Sequence, residues 1–397
     1  MITIRKTIRL SLLLVAAMAL AAVAVACGGD PTPTPTPTTA PPTATPTPVP
    51  PPVDPVKQRL DDLYAKAQEE GTVRIGGHPS DFRRDAWLVF EERYPGIDVE
   101  YVALAGSEAN ARLQSEWEND VWEWDILATG ATYLLGSYAT ENHLLDLHDV
   151  IFDPEVLDDS KWLGGSFDTN FLDAAGKHLF AFHVFIAETA FVRDDLTPVD
   201  SFTSLADLLK PEYKGKVCWV DPRLGGTPQF MAAFLLQSQG EQFLRDLLSV
   251  QEPQIFGATQ EMVTEMVRTD NCPIGIGVTR PVLKEFQDQG LGTTIVRIEP
   301  PDGRFQGGSN FVSIPVNAPH PNAAQLMANW FLTVDGQTQW AEKGRENSRR
   351  LDVPLGNAER MPNPEVEWFD FSTEEANYFV CCLLPTRTIA EEELAGR

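Results

Sequence analysis

From residue 56 onward, apolar positions alternate between short continuous runs and helical stripes. Val56, Leu60, Leu63 and Ala67 recur at the three-to-four spacing of one helix face, and Gly71 stops that pattern. Thr72 to Gly76 then reads as a buried strand, followed by a loop at Gly77, His78 and Pro79. Ser80 is placed to cap a helix running to Tyr94, which Pro95 and Gly96 end. The run Ile97 to Val102 alternates as a second strand. Ser107 opens a helix carrying Ala109, Leu113 and Trp117, and Asp125 to Ala128 forms a third strand that ends at Thr129. Strands separated by helices predict a parallel sheet, and such sheets collect ligands beyond the carboxyl ends of their strands. The loops at His78, Ser107 and Thr129 are therefore expected on one rim.

The pattern resumes at Lys177 to Val192, a long apolar extended stretch, and then at Lys210 to Gln237. There a Lys-Gly-Lys lead enters the strand Val217 to Val220. Asp221, Pro222, Gly225 and Gly226 form a turn, and a helix follows with Thr227 at its N-cap and Pro228 at its first position. Free N–H groups at such a helix start favour an anion or polar solute, which makes Gly226 and Thr227 candidate ligand contacts. Further on, a helix carries Met262 and Met266, a strand covers Cys272 to Val278, and a helix runs from Pro281 to Gln289. Phe311 to Val316 alternates as a strand, and Asn322 with Gln325 resembles a capping box opening the next helix.

The ends change the picture. Arg5, Lys6 and Arg9 precede an apolar run, Leu10 to Val25, and Ala24, Val25, Ala26 and Cys27 resemble a lipobox, so residues 1–27 read as a lipoprotein signal with Cys27 as the lipidated residue. Ala24 departs from the usual leucine, which leaves simple secretory cleavage as an alternative. Residues 28–55 are dominated by proline, threonine, alanine and valine, the composition of an extended polyproline tether. The formal charge of −26 becomes still more negative when the three basic residues of the signal are removed, so nucleic acid is a poor partner. Cys218 and Cys272 lie at strands of one region. A disulfide between them and a pair of buried thiols are the two alternatives there.

The stretch SFTSLADLLKPEYKGKVCWVDPRLGGT resembles the second-lobe entry of extracellular solute-binding proteins of ABC importers, most closely the branch containing the ferric-binding proteins. FEERYPGIDVEYV, RLQSEWENDVWEWDILATG and APHPNAAQLMANWFLTVDGQTQWAEKG agree with that family in order. The resemblance implies an α/β, two-lobed periplasmic-binding-protein type 2 fold, each lobe a mostly parallel sheet flanked by helices and joined by a hinge. Lobe 1 is expected over 56–190, lobe 2 over 191–297, and the hinge return with the rest of lobe 1 and a C-terminal cover over 298–397. Lys177 to Val192 becomes the first crossing, with His183 and Glu188 at the hinge, and Glu299 to Ser309 the return.

The resemblance also implies a monomeric receptor on the extracytoplasmic face of the cell membrane, held there through Cys27. It would pass a small solute to a permease and its ATPase, without cofactor or catalysis. Ferric-binding relatives hold metal with adjacent tyrosines after the strand matching Pro273 to Val278. This chain has Val278, Thr279, Arg280 and Pro281 there, so no metal site is expected, and Arg280 offers a fork to a carboxylate or phosphate. His78 sits where those relatives can supply a histidine. The expected ligand contacts are thus His78, Ser107, Thr129, Gly226, Thr227 and Arg280, and the expected solute is anionic or zwitterionic. Ferric-iron transport, a kinase-coupled sensor and a secreted hydrolase are the contrasting functions. For the hydrolase, the chain lacks GxSxG, HExxH, CxxC and P-loop patterns. Trp87, Trp117, Trp122 and Trp124 read as core packing or, alternatively, as a sugar-stacking platform.

Overall fold

The computed structural model describes residues 54–396 except 105, 130–133, 136–142, 225–226, 308–309, 372 and 374–381, and gives only the backbone of 106–110. The signal sequence, Cys27, nearly all of the tether, and Gly226 lie outside the described residues.

The first helix, Pro55–Glu70, is capped by Asp54, whose carboxylate accepts the Val56 N–H at 2.9 Å, and it ends at Gly71 in the left-handed region (φ 73°). Strand β1 (Thr72–Gly77) follows, then the helix Asp81–Arg93, strand β2 (Asp98–Ala103), the helix Gly106–Glu118 and strand β3 (Ile126–Ala128). The three strands pair in parallel in the order β2-β1-β3, the sheet that the strand-helix alternation predicts. Trp87, Trp117 and Trp124 are buried, as core packing requires.

Short strands β4 (Phe180–Ala181) and β5 (His183–Ala187) lead the chain out of this body, and β6 (Ala190–Arg193) enters the next. There β7 (Val217–Val220), β8 (Gln254–Phe256), β9 (Ile274–Ile276) and β10 (Ile295–Arg297) complete a sheet ordered β10-β6-β9-β7-β8. It is parallel through β8, β7 and β9, while β6 and β10 each pair antiparallel. Cys218 and Cys272 are joined by a disulfide, their Cα atoms 5.7 Å apart, so the disulfide alternative holds. The chain returns through β11 (Phe305–Gly307), antiparallel to β5, and rejoins the first body at β12 (Phe311–Val312), which pairs with β4. Strand β13 (Asn347–Ser348) flanks β5, and β14 (Phe369–Asp370) flanks β11, making a four-stranded sheet around the double crossing.

Buried apolar side chains separate accordingly. One core joins Leu63, Trp87, Phe90 and Ile126 to Phe331 and Trp340; another joins Val192, Trp219 and Phe234 to Phe305, Phe371 and Ile389. The C-terminal helix Leu384–Glu393 thus packs on the second body, through Ile389 and Ala390. The helix around Asn322 starts at Pro321 without a side-chain cap of its own. The capping box read from sequence gives way to Glu70 of the first helix, whose carboxylate accepts the N–H groups of Asn322 and Ala323 at 3.1 and 2.8 Å. A tertiary carboxylate therefore does what a local glutamine was expected to do.

Candidate functional site

The crossing strands carry a concentration of ionic side chains. The helix Asp81–Arg93 begins with Ser80 as N-cap and places Arg83 in its first turn, a position where the helix dipole favours carboxylates rather than cations. Arg83 is compensated from outside the helix. Its Nε and Nη2 donate to Oε1 of Glu346 at 3.1 and 2.5 Å. Glu346 is positioned by a reversal after the helix Val334–Glu342, where Arg345 takes the left-handed region at φ 57°. The other oxygen of Glu346 faces His183 of β5, 3.2 Å from its Nε2, and Asn310 Nδ2 lies 2.9 Å from His183 Nδ1. An amide N–H on Nδ1 requires that nitrogen to accept, so the ring is neutral and donates from Nε2.

His183 is fully buried, and burial depresses its pKa to about 4 even though Glu346 opposes the shift. Burial alone would raise the Glu346 carboxyl, but the hydrogen bond from His183 and the charge of Arg83 hold it well below the usual carboxylate range. The trio is a closed ionic knot at the crossing.

A second group lies at the other end of β5. Glu188, 8% exposed, is 3.0 Å from Arg280 Nε, an ion pair lacking hydrogen-bond geometry. Arg280 Nη1 also donates to Glu359 at 2.9 Å, and Glu359 is 83% exposed. Arg360 follows Glu359, and its guanidinium stands 4.4 Å over the Phe185 ring.

The six ligand contacts expected from sequence are distributed unevenly. His78 sits at the end of β1 beside this cluster, its pKa pushed down to about 4 by burial and by Arg83, and its Nδ1 is sealed without a partner among the described residues. Its backbone is held by Ala128 O, which accepts its N–H at 3.3 Å, and by Tyr101, whose hydroxyl donates to its carbonyl at 2.7 Å. Thr129 is buried nearby, but its hydroxyl donates to Leu104 O at 2.8 Å. Ser107 lies in the first turn of the helix Gly106–Glu118. Thr227 is exposed and is itself the first residue of its helix, one position earlier than its expected helix start at Pro228. Arg280 is the first residue of the helix Arg280–Gln287, one position before the expected start at Pro281, with its guanidinium engaged by the two carboxylates.

Arg83, Glu346, Phe185 and Arg360 were not singled out from sequence. Arg83 carried one signal, a cation in the first turn of a helix; Glu346 sits in an irregular segment and Arg360 ends the single 3-10 turn Ala358–Arg360, where periodicity is silent. Among the described residues, no three His, Cys, Asp or Glu side chains converge as metal ligands would.

The profile of the bacterial extracellular solute-binding protein family matches residues 89–354. No curated protein matches the sequence. Among solved structures, the chain is similar to a Trichodesmium protein, IdiA or FutA, in complex with iron and citrate, with 16% identity, 81% of this chain and 99% of that one covered, and a TM-score of 0.62. It is similar to a Bordetella ferric binding protein at 16% identity, with 81% and 98% covered and a TM-score of 0.60. It is also similar to AfuA of Actinobacillus pleuropneumoniae with fructose-6-phosphate bound, at 16% identity, with 82% and 99% covered and a TM-score of 0.57. At such identities the likeness is one of fold.

Proposed function

Because this chain belongs to the bacterial extracellular solute-binding protein family, we propose that it captures a small anionic or zwitterionic organic solute between its two lobes and delivers it to an ABC permease. Cys27 carries the lipid that keeps it at the membrane, and residues 28–55 are the tether. Lobe 1 takes 56–190 with the return from 298, lobe 2 takes 191–297, and the C-terminal helix Leu384–Glu393 covers lobe 2. His183 opens β5 and Glu188 follows its end, in the stretch that the hinge bends.

The observation that carries the choice of solute is the gathering of Arg83, Arg280 and Arg360 at the crossing of a chain whose formal charge is −26. The charges of Arg280 and Arg83 both act on Arg360 there. A net-negative protein repels an anionic solute over the Debye length, roughly 8 Å in physiological salt, so capture needs a local positive recess. The replacement of a tyrosine pair by Thr279 and Arg280 suits an organic anion better than a hard metal ion. Closure brings His78, Ser107 and Thr129 of one lobe toward Gly226, Thr227 and Arg280 of the other, and affinity follows from the contacts that only the closed state makes.

Calorimetry of the purified chain against carboxylate, phosphate ester, amino acid and neutral sugar panels, with ferric citrate in parallel, tests this. We expect saturable binding within the charged panels. Substitution Arg280→Ala should weaken it by about 1.5–3 kcal/mol, the worth of a charge-assisted hydrogen bond. Binding of ferric citrate alone would transfer the function to iron carriage, a second reading that the iron-bound Trichodesmium neighbour makes worth testing.

A further inference from the structure

Resting on the anion-receptor function proposed above, we infer that Arg360, contributed by a segment beyond the family-matched residues 89–354, is the anchor for the oxyanion group of the solute. Charge accounting at the crossing leads to this residue. Arg83 is matched by Glu346, and Arg280 by Glu188 and Glu359. Arg360 has no carboxylate within ion-pair distance and no side-chain hydrogen bond among the described residues, and its Nε is sealed from solvent. Its guanidinium stands over the face of Phe185, a cation–π contact that replaces a small part of the lost hydration. Withdrawal from water also depresses the guanidinium; the more distant carboxylates of Glu188 and Glu346 oppose that shift, and Arg280 and Arg83 add to it. Holding a cation this way costs stability, and a site for a counter-ion explains why the chain would hold it.

The segment is built to hold Arg360 in place. Asn347 Nδ2 donates to Asn357 O at 2.7 Å while Asn357 N donates back to Asn347 Oδ1 at 2.9 Å, pinning the segment to β13. At Gly356 the backbone presses on the backbone of Glu346 and Ala341 so closely that any Cβ would overlap their carbonyl oxygens. Arg360 is thereby preorganised, and a solute does not have to order it. Arg83 Nη1 is a second sealed donor without an acceptor among the described residues. A guanidinium in want of an acceptor calls for an oxyanion, a carboxylate or a phosphoryl group, which offers several lone pairs. Arg280 differs, since a solute must compete there with carboxylates already in place.

The test compares the full chain with Arg360→Met, Arg360→Lys and Arg280→Met by thermal melting and calorimetry. Inorganic phosphate, acetate and neutral glycerol serve as probes at millimolar concentration. The expected result is that phosphate or acetate raises the melting temperature of the unsubstituted chain and glycerol does not; whichever anion acts more strongly identifies the head group. Arg360→Met should then lose affinity about thirtyfold or more, as truncation of a buried charge contact does. Arg360→Lys should fall between, and Arg280→Met should lose less. Without probe, Arg360→Met should melt no lower than the parent, because it removes a largely buried charge that has no carboxylate within ion-pair distance among the described residues. Anion binding by Arg360→Met within threefold of the parent, or a marked fall in its probe-free melting temperature, would overturn the role of Arg360 while leaving the receptor function standing. Failure of both anions to bind the parent would overturn both.

Discussion

Glu346 shows how one carboxylate can serve two segments far apart in sequence. It faces Arg83 from the first body and His183 from the crossing strand, so its loss leaves a guanidinium largely withdrawn from water. Substitution Glu346→Gln should destabilise the protein by about 3 kcal/mol, with much of that recovered when Arg83→Met is added, which urea unfolding of the four-member cycle would measure. His183 makes a pH prediction. Its folded pKa is about 4 against a usual 6.5, so between those values the unfolded chain binds a proton that the folded chain refuses. Stability is therefore full above pH 6.5 and falls as pH drops toward 4, by about 1.4 kcal/mol per pH unit for one proton. His78 acts in the same direction. Urea midpoints measured from pH 7.5 down to 5 should decline, and the decline should be shallower in His183→Gln. None of this was legible in the chain, where His183 and Glu346 are separated by 163 positions and meet only through folding.

Helices and strands were the most readable level, because burial imposes a period wherever a regular element packs on a core. The helix Pro55–Glu70 and strands β1 to β3 appear at nearly the positions that periodicity and punctuation predict. Ends were less readable when their satisfaction came from elsewhere, as Glu70 at the start of Pro321–Phe331 shows. Cysteine pairing was left open for the same reason; strand adjacency of β7 and β9 decided it. This bridge closes a loop of 54 residues, which in the chain-entropy picture contributes about 4 kcal/mol. Cys272→Ser should lower the urea midpoint accordingly. The C-terminal helix is a second test, since Ile389 is buried on the second body. Ile389→Ala should cost about 2–5 kcal/mol, and denaturation would show it.

At the scale of the molecule, β5 and β11 are the paired crossings between two separately packed cores. A receptor that closes on its solute should contract, so small-angle scattering should record a smaller radius of gyration once a bound anion is supplied, and an unchanged radius would contradict hinge closure. By itself, the sequence determined the α/β alternation, the extended crossing stretch and the family to which the chain belongs, since periodicity, turn residues and motif wording are all local properties. Only the tertiary structure decided which charges neutralise one another. It matched Arg83 and Arg280 with carboxylates and, among the described residues, left Arg360 without one at ion-pair distance, because ion pairing depends on distances of a few ångströms between segments that the linear order keeps far apart.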